Sequence, residues 1–197
     1  MKWIGLTGGI ATGKSAAAKL IQGLGFPVID ADEMARVVVQ PGQPGLQKIV
    51  DHFGISVLQT DQSLNRGLLS EIIFKSTEKR LLLESILHPL IQVEVAKLKK
   101  KYESENQKLC FYDVPLLFEK NLAAQFFCTV LIWCDFETQK LRLQIRSQLT
   151  EVQALERIQS QKKLSDKLPL ATYCIDNSTT QQNLELQIKS LLKKLSH

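Results

Sequence analysis

One octapeptide near the start does most to limit what this chain can fold into. Gly8-Gly9-Ile10-Ala11-Thr12-Gly13-Lys14-Ser15 fits the phosphate-loop pattern G-x-x-x-x-G-K-[ST]. Upstream, Trp3, Ile4 and Leu6 make a short apolar run that suits a strand. Downstream, Ser15-Ala16-Ala17-Ala18-Lys19-Leu20-Ile21 is built largely from good helix formers. The pattern carries meaning only between a strand and a helix, and that context is present. Its glycines let the backbone wrap an anion with successive N–H groups pointing inward, and the helix N-terminus adds its positive end. Lys14 can reach the β- and γ-phosphates of a nucleoside triphosphate, and the Ser15 hydroxyl can ligate Mg²⁺. The bland alternative is a glycine-rich turn ahead of an ordinary first helix.

The rest of the chain continues an α/β alternation, the pattern of a parallel sheet flanked by helices. Apolar runs at 3–6, 27–30, 109–113, 129–134 and 173–175 show no polar alternation, as expected of strands buried on both faces. Residues 31–107 contain no convincing strand. Leu81, Leu82, Ile86, Leu90, Ile91 and Leu98 recur there at helical spacing, with Pro89 expected to interrupt them. That stretch is too long for one crossover and reads as a helical insertion. A second helical excursion, 138–168, carries Arg142, Arg146 and Arg157. The apolar positions of 180–195 (Leu184, Ile188, Leu191, Leu192, Leu195) predict a last helix packed on the sheet.

Composition narrows the class. At 197 residues, with 44% hydrophobic and 23% charged residues, the chain is expected to be globular, with one elaborated core. A net charge of +5 suits polyanionic small ligands and would equally suit nucleic acid. Lys97, Lys99, Lys100 and Lys101 fall near the end of a helix, where cations favour the dipole. Cys110, Cys128, Cys134 and Cys174 lack C-x-x-C spacing and sit in or beside apolar segments. They read as buried, reduced thiols rather than a disulfide frame or zinc site. With a strand starting almost at Met1 and no apolar run long enough to span a bilayer, a cytoplasmic enzyme with no membrane partner is expected.

Several further residues can do chemistry. The second strand ends in Ile29-Asp30-Ala31-Asp32, and ligands of open α/β sheets bind beyond the carboxyl ends of strands. Asp30 suits a helix cap. Asp32 suits either a base that accepts a hydroxyl proton or an ion pair with Arg36 four residues on. Asp113 ends an apolar strand in the form of a second phosphate-loop signature, whose carboxylate approaches Mg²⁺. Arg142 and Arg146, four apart, share one helix face and suit phosphoryl charge, or plain solvent. His88, just before Pro89, reads by itself as a turn or core histidine.

Taken together, Leu6-Thr7-Gly8-Gly9-Ile10…Gly13-Lys14-Ser15, Ile29-Asp30-Ala31-Asp32…Ala35-Arg36, His88-Pro89-Leu90-Ile91, Val114-Pro115-Leu116-Leu117-Phe118-Glu119 and Ile175-Asp176-Asn177 strongly resemble dephospho-coenzyme A kinases, in order and spacing, from Lys2 to Asn177. The resemblance implies a P-loop kinase fold like that of nucleoside monophosphate kinases, with a five-stranded parallel sheet, a helical acceptor-binding insert and a lid. It implies one unit over 1–197, with core 1–30, 108–145 and 171–197, insert 31–107 and lid 146–170. It implies transfer of the γ-phosphoryl of ATP, with Mg²⁺, to the ribose 3′-hydroxyl of dephospho-coenzyme A. Gly8, Gly9, Ala11, Thr12, Gly13, Lys14, Ser15 and Ala16 would hold ATP. Arg142 and Arg146 would meet its phosphates, and Asn177 would lie near the adenine. Asp32 would be the base, with Lys14 and Arg146 beside it in catalysis. Arg36, His88, Pro115, Leu116 and Glu119 would line the acceptor. Ser15 and Asp113 are the metal candidates.

Three positions depart from the family pattern. Ala11 replaces a third loop glycine, which is tolerable at negative φ and costly at positive φ. Ser147 replaces an acidic residue, and Thr172 an Asp. Two other classes compete: a different small-molecule P-loop kinase, and a nucleotide switch or nucleic-acid ATPase. The absence of an Asn-Lys-x-Asp guanine reader and the short chain both disfavour the last, so no nucleic-acid partner is expected.

Overall fold

The computed structural model describes residues 1–196 and divides into two compact units. The first comprises residues 1–28 and those from 102 onward; the second comprises 29–101. Five strands, β1 (Lys2–Gly8), β2 (Val28–Asp30), β3 (Leu109–Asp113), β4 (Cys128–Trp133) and β5 (Tyr173–Asp176), form one sheet in the order β2-β3-β1-β4-β5. The central strand β1 runs parallel to both neighbours, with Leu6 opposite Asp113 on one side and Val130 on the other.

In the first unit, both faces of the sheet are covered, which is why its inner strands lack polar alternation. On one face Ile4, Leu6, Leu109, Phe111, Val130 and Ile132 pack with Ala17 and Ile21 of α1 (Lys14–Gly23). The same cluster includes Leu184, Ile188, Leu191, Leu192 and Leu195 of α9 (Gln181–Ser196), the stripe that the sequence spacing predicts. Each such fully buried side chain is worth roughly 1.5–3 kcal/mol of transfer free energy. On the other face Val114, Leu117, Phe118 and Leu131 pack with Tyr112, Phe126 and Trp133. The excursion after β4 is helical as expected: α6 (Phe136–Ser147), α7 (Glu151–Gln159) and α8 (Leu164–Lys167). Thr172, at the family's Asp position, exchanges hydrogen bonds with Thr129: each backbone N–H reaches the other's hydroxyl, at 3.1 and 3.0 Å.

Two expectations need correction. Tyr173–Asp176 is not buried on both faces. β5 is an edge strand in which only Ile175 is buried, so Cys174 is exposed while Cys110, Cys128 and Cys134 are buried, and none of the four is in a disulfide.

The second correction lies in the second unit, which contains α2 (Ala31–Val37), α3 (Pro44–Phe53), α4 (Arg66–Phe74) and most of α5 (Thr77–Ser104). Pro89 does not break α5, which runs through it for 28 residues. Leu83 lies before the proline and Leu90 and Ile91 after it, yet all belong to one apolar cluster with Val39, Leu46 and Ile49. Ending the helix would have pulled Leu90 and Ile91 out of that cluster, a loss that opposes the roughly 3 kcal/mol a mid-helix proline costs.

Candidate active site

The loop between β1 and α1 is held in a shape the chain would not adopt unaided. Gly13 has φ 90°, and a Cβ there would overlap the Asn177 side chain, so only glycine fits. Ala11 also lies in the left-handed region, at φ 59°, the costly case for alanine. Such strain persists only where the surroundings over-determine it. Here they do so with three amide side chains. Gln139 Nε2 donates to Ile10 O at 2.8 Å, and Gln161 Oε1 accepts from Ile10 N–H at 2.9 Å. Asn177 Nδ2 donates to Thr12 O at 2.8 Å. Within the loop, the Thr12 hydroxyl donates to Gly9 O at 2.9 Å.

Helix α1 then starts with no side-chain cap and no acid in its first turn. The neighbouring helices α2, α6 and α7 are capped by Asp30, Asp135 and Thr150. With no side chain capping it, α1 offers the Lys14 and Ser15 amides to an anion, while the Ala16 and Ala17 N–H groups turn to Gly13 O at 2.9 and 3.1 Å. Lys14 Nζ is ion-paired with Asp113 Oδ1, and both side chains are largely buried. The β1–β3 register explains the meeting: Leu6 pairs with Asp113, so the strand that launches the loop lies beside the strand that ends in the carboxylate. Beside Gly9, a cavity of about 480 Å³ is lined by Trp133, Phe136, Gln139, Ile158 and Leu164.

The arginines divide. Arg142 is half-buried and donates from Nη1 to Asn177 O at 2.8 Å, bracing the residue that braces the loop. It also lies near Cys134, whose thiol burial pushes up to about 11 while the guanidinium pulls it partly back. Arg146 is exposed in the last turn of α6, and Arg157 is exposed in the last turn of α7. After β3, Pro115 O accepts from the Thr7 hydroxyl at 3.2 Å, and Leu116 is exposed. Glu119, expected among acceptor-lining residues, has both carboxylate oxygens buried and pairs with Lys167 at 2.6 Å; it is not presented to a ligand. Asn177, expected near the adenine, is buried and directed into the loop.

The remaining expected residues belong to the second unit. Asp30 is the cap of α2, accepting from Asp32 N–H at 2.7 Å and Glu33 N–H at 3.2 Å. Asp32 and Arg36 are exposed one turn apart on α2, and among the described residues they make no ion pair with each other. His88 is exposed on α5, so it is neither a core nor a turn histidine.

Ser15 suits Mg²⁺, because an exposed hydroxyl at the start of α1 can join waters and substrate phosphates in an octahedral shell. No group of three or more His, Cys, Asp or Glu among the described residues forms a metal cage. Sequence reasoning missed Gln139, Gln161 and Lys167, since each falls on a polar helical excursion and reads there as a surface residue.

Comparison with known proteins points the same way. The family model described as dephospho-CoA kinase matches residues 2–183. The chain is 40% identical over 193 residues to the dephospho-CoA kinase of Listeria monocytogenes serotype 4b, covering 98% of this chain and 96% of the relative. It is 41% identical over 191 residues to that of Halalkalibacterium halodurans, covering 97% and 95%. The solved dephospho-CoA kinase of Campylobacter jejuni superposes with a TM-score of 0.72 at 27% identity, over 98% of this chain and 96% of that one. A strained, externally braced phosphate loop, an uncapped helix behind it and this degree of likeness along the whole chain lead to one assignment: the chain belongs to the dephospho-CoA kinase family.

Proposed function

We propose that this kinase transfers the γ-phosphoryl of ATP to the ribose 3′-hydroxyl of dephospho-coenzyme A, the last step of coenzyme A synthesis. The observation that carries this reading is the braced loop ahead of the uncapped α1, with Lys14 paired to Asp113 at the end of the adjacent strand, in a chain of this family. ATP supplies the phosphates that the α1 amides and Lys14 receive, and Lys14 then meets charge that grows in the transition state. The Lys14–Asp113 pair keeps that cation directed and compensated until phosphate arrives. Ser15 would hold Mg²⁺, with Asp113 as the second candidate, and the ion would supply positive charge to the phosphates.

In the transfer, the bond from the ribose O3′ to the γ-phosphorus forms as the bond from that phosphorus to the β-bridging oxygen breaks, and ADP leaves. Asp32 takes the hydroxyl proton and orients the hydroxyl in line. Arg36 and His88 hold the acceptor from the insert 31–107. Pro115 and Leu116 border it from the loop after β3. Arg146, exposed on α6, meets the phosphates when the 146–170 excursion closes as a lid, and Arg142 acts through Asn177. Asn177 supports the adenine end of the nucleotide by position, its side chain being bonded to Thr12. The partners are two small molecules, in the cytoplasm, without membrane or nucleic acid. Among the described residues, no helix is long and apolar enough to cross a membrane.

Incubation of the purified protein with Mg·ATP and dephospho-coenzyme A, followed by mass spectrometry and phosphorus NMR, tests the assignment. The expected product carries one added phosphate at the ribose 3′ position. Absence of transfer to this acceptor, with transfer to another small alcohol, would assign the chain a different substrate on the same scaffold.

A further inference from the structure

A lysine without exposed surface is an unusual tenant of a kinase core. Lys167, at the end of α8, is 0% exposed, and its Nζ lies 2.6 Å from Glu119 Oε1. The contact lacks hydrogen-bond alignment, and among the described residues Lys167 Nζ and both Glu119 oxygens have no hydrogen-bond partner. Two charges have thus been withdrawn from water with only each other for compensation. Their neighbours in the chain, Leu117 and Phe118 on one side and Leu164 on the other, belong to an apolar cluster. A neutral pair of the same size would serve stability as well or better, so stability does not account for the charges.

The positions of the two partners suggest what does. Glu119 lies on the loop that leaves β3 directly after Asp113, the carboxylate on Lys14. Lys167 ends the excursion that holds Gln161, the acceptor for Ile10 N–H. β3 and β4 flank β1 on opposite sides, so these two segments approach the phosphate loop from its two flanks. The Glu119–Lys167 pair is a direct tie between them.

We infer that Glu119 and Lys167 form a buried electrostatic tie that holds the 114–119 loop in register with the 151–170 excursion, and so sets Asp113 and Lys14 for phosphoryl transfer. Glu119 is on this account a positioning residue and not a substrate contact. The inference rests on the kinase reading above for its rate effects, but not for its structural ones.

The test compares Glu119→Gln, Lys167→Met and the double variant that removes both charges. Either single change strands a buried charge and lowers the melting temperature. The double variant is expected to recover the parent's melting temperature while kcat with dephospho-coenzyme A stays about 10²-fold down, the scale of a small misplacement of reacting groups. Its affinity for a non-hydrolysable Mg·ATP analogue, by calorimetry, is expected to stay within about twofold of the parent's. Hydrogen exchange in the double variant should speed up together in 114–119 and 164–170, with β1 and α9 unchanged. A double variant with the parent's kcat makes the pair structural only and overturns the tie, as does faster exchange in one segment without the other. Should the double variant fail to fold, Glu119→Asp keeps both charges but shortens the reach, and parent-like kcat and exchange in it count equally against the tie. If the parent itself transfers nothing to dephospho-coenzyme A, the substrate assignment fails, and the exchange result still decides whether the tie exists.

Discussion

The phosphate loop takes its shape from side chains 129, 151 and 165 residues away, at Gln139, Gln161 and Asn177. The turn that opens α2 takes its shape from Asp30, whose carboxylate caps amides two and three residues on. Both present charged or polar groups that the proposed chemistry uses, Lys14 in one and Asp32 in the other. The loop is costly to shape, with Ala11 and Gly13 at positive φ, and needs the whole first unit as a mould. The turn is an ordinary helix start that needs only its own residues. A change beside the loop should therefore affect the fold and the chemistry together, whereas in the turn the two should separate.

The largest expected effect tests that separation in the turn. Asp32 is exposed, and the cap belongs to Asp30, so Asp32→Asn should cost well under about 1 kcal/mol of stability, the scale of one charge near a helix end. If Asp32 is the base, kcat should fall roughly 10²–10⁴-fold. Steady-state rates beside thermal melts decide the matter, and a variant that turns over like the parent removes Asp32 from the mechanism.

Lys14→Ala probes the loop, where the two effects should be joined. kcat is expected to drop at least about 10²-fold, as for loss of one preorganised electrostatic group. Stability should fall too, because Asp113, 2% exposed, is left without its cation. Adding Asp113→Asn should restore the melting temperature and not the rate. Recovery of both would mean that the lysine serves the fold and not the phosphate.

Asn177→Ala and Asp30→Ala form a matched pair. The first leaves the buried Thr12 carbonyl without its donor, at a cost of about 1–3 kcal/mol, and should raise the KM for ATP. The second removes a cap at about 0.5–2 kcal/mol and should leave nucleotide affinity by calorimetry unchanged. Equal effects on nucleotide binding would erase the contrast between the two regions.

The smallest effect concerns Ala11. Relief of φ 59° by glycine is offset by glycine's greater freedom when unfolded, so Ala11→Gly should stabilise by at most about 1 kcal/mol. A lower melting temperature would show that the alanine is not strained.

The same contrast explains what could be read from the residues alone. Local signals were legible: the glycine loop between strand and helix, the Asp30 cap, the α9 stripe and the places of the strands along the chain. The edge position of β5 was not, because it depends on which strand pairs beyond it, and among the described residues none does. Pro89 misled for a related reason, since its local cost is set against Leu90 and Ile91 joining a cluster whose other members reach back to Val38, 53 positions before Ile91. Gln139 and Gln161 sit among polar residues on helical excursions, and nothing in their neighbours tells a loop strut from a solvated side chain. Ala11 was visible as a departure, but the sign of its φ depended on those struts.

The bond from Asn177 to Thr12 also orders events in time. The ribosome delivers the loop early, yet the amide that completes it follows Thr12 by 165 positions. At synthesis rates of about 5–20 residues per second, that interval is roughly ten to thirty seconds. Throughout it, a nascent chain carries the full nucleotide motif without the brace that shapes it, so competence to bind trails the motif that confers it. A fragment ending before Asn177 would keep every residue of the motif and lack the finished loop.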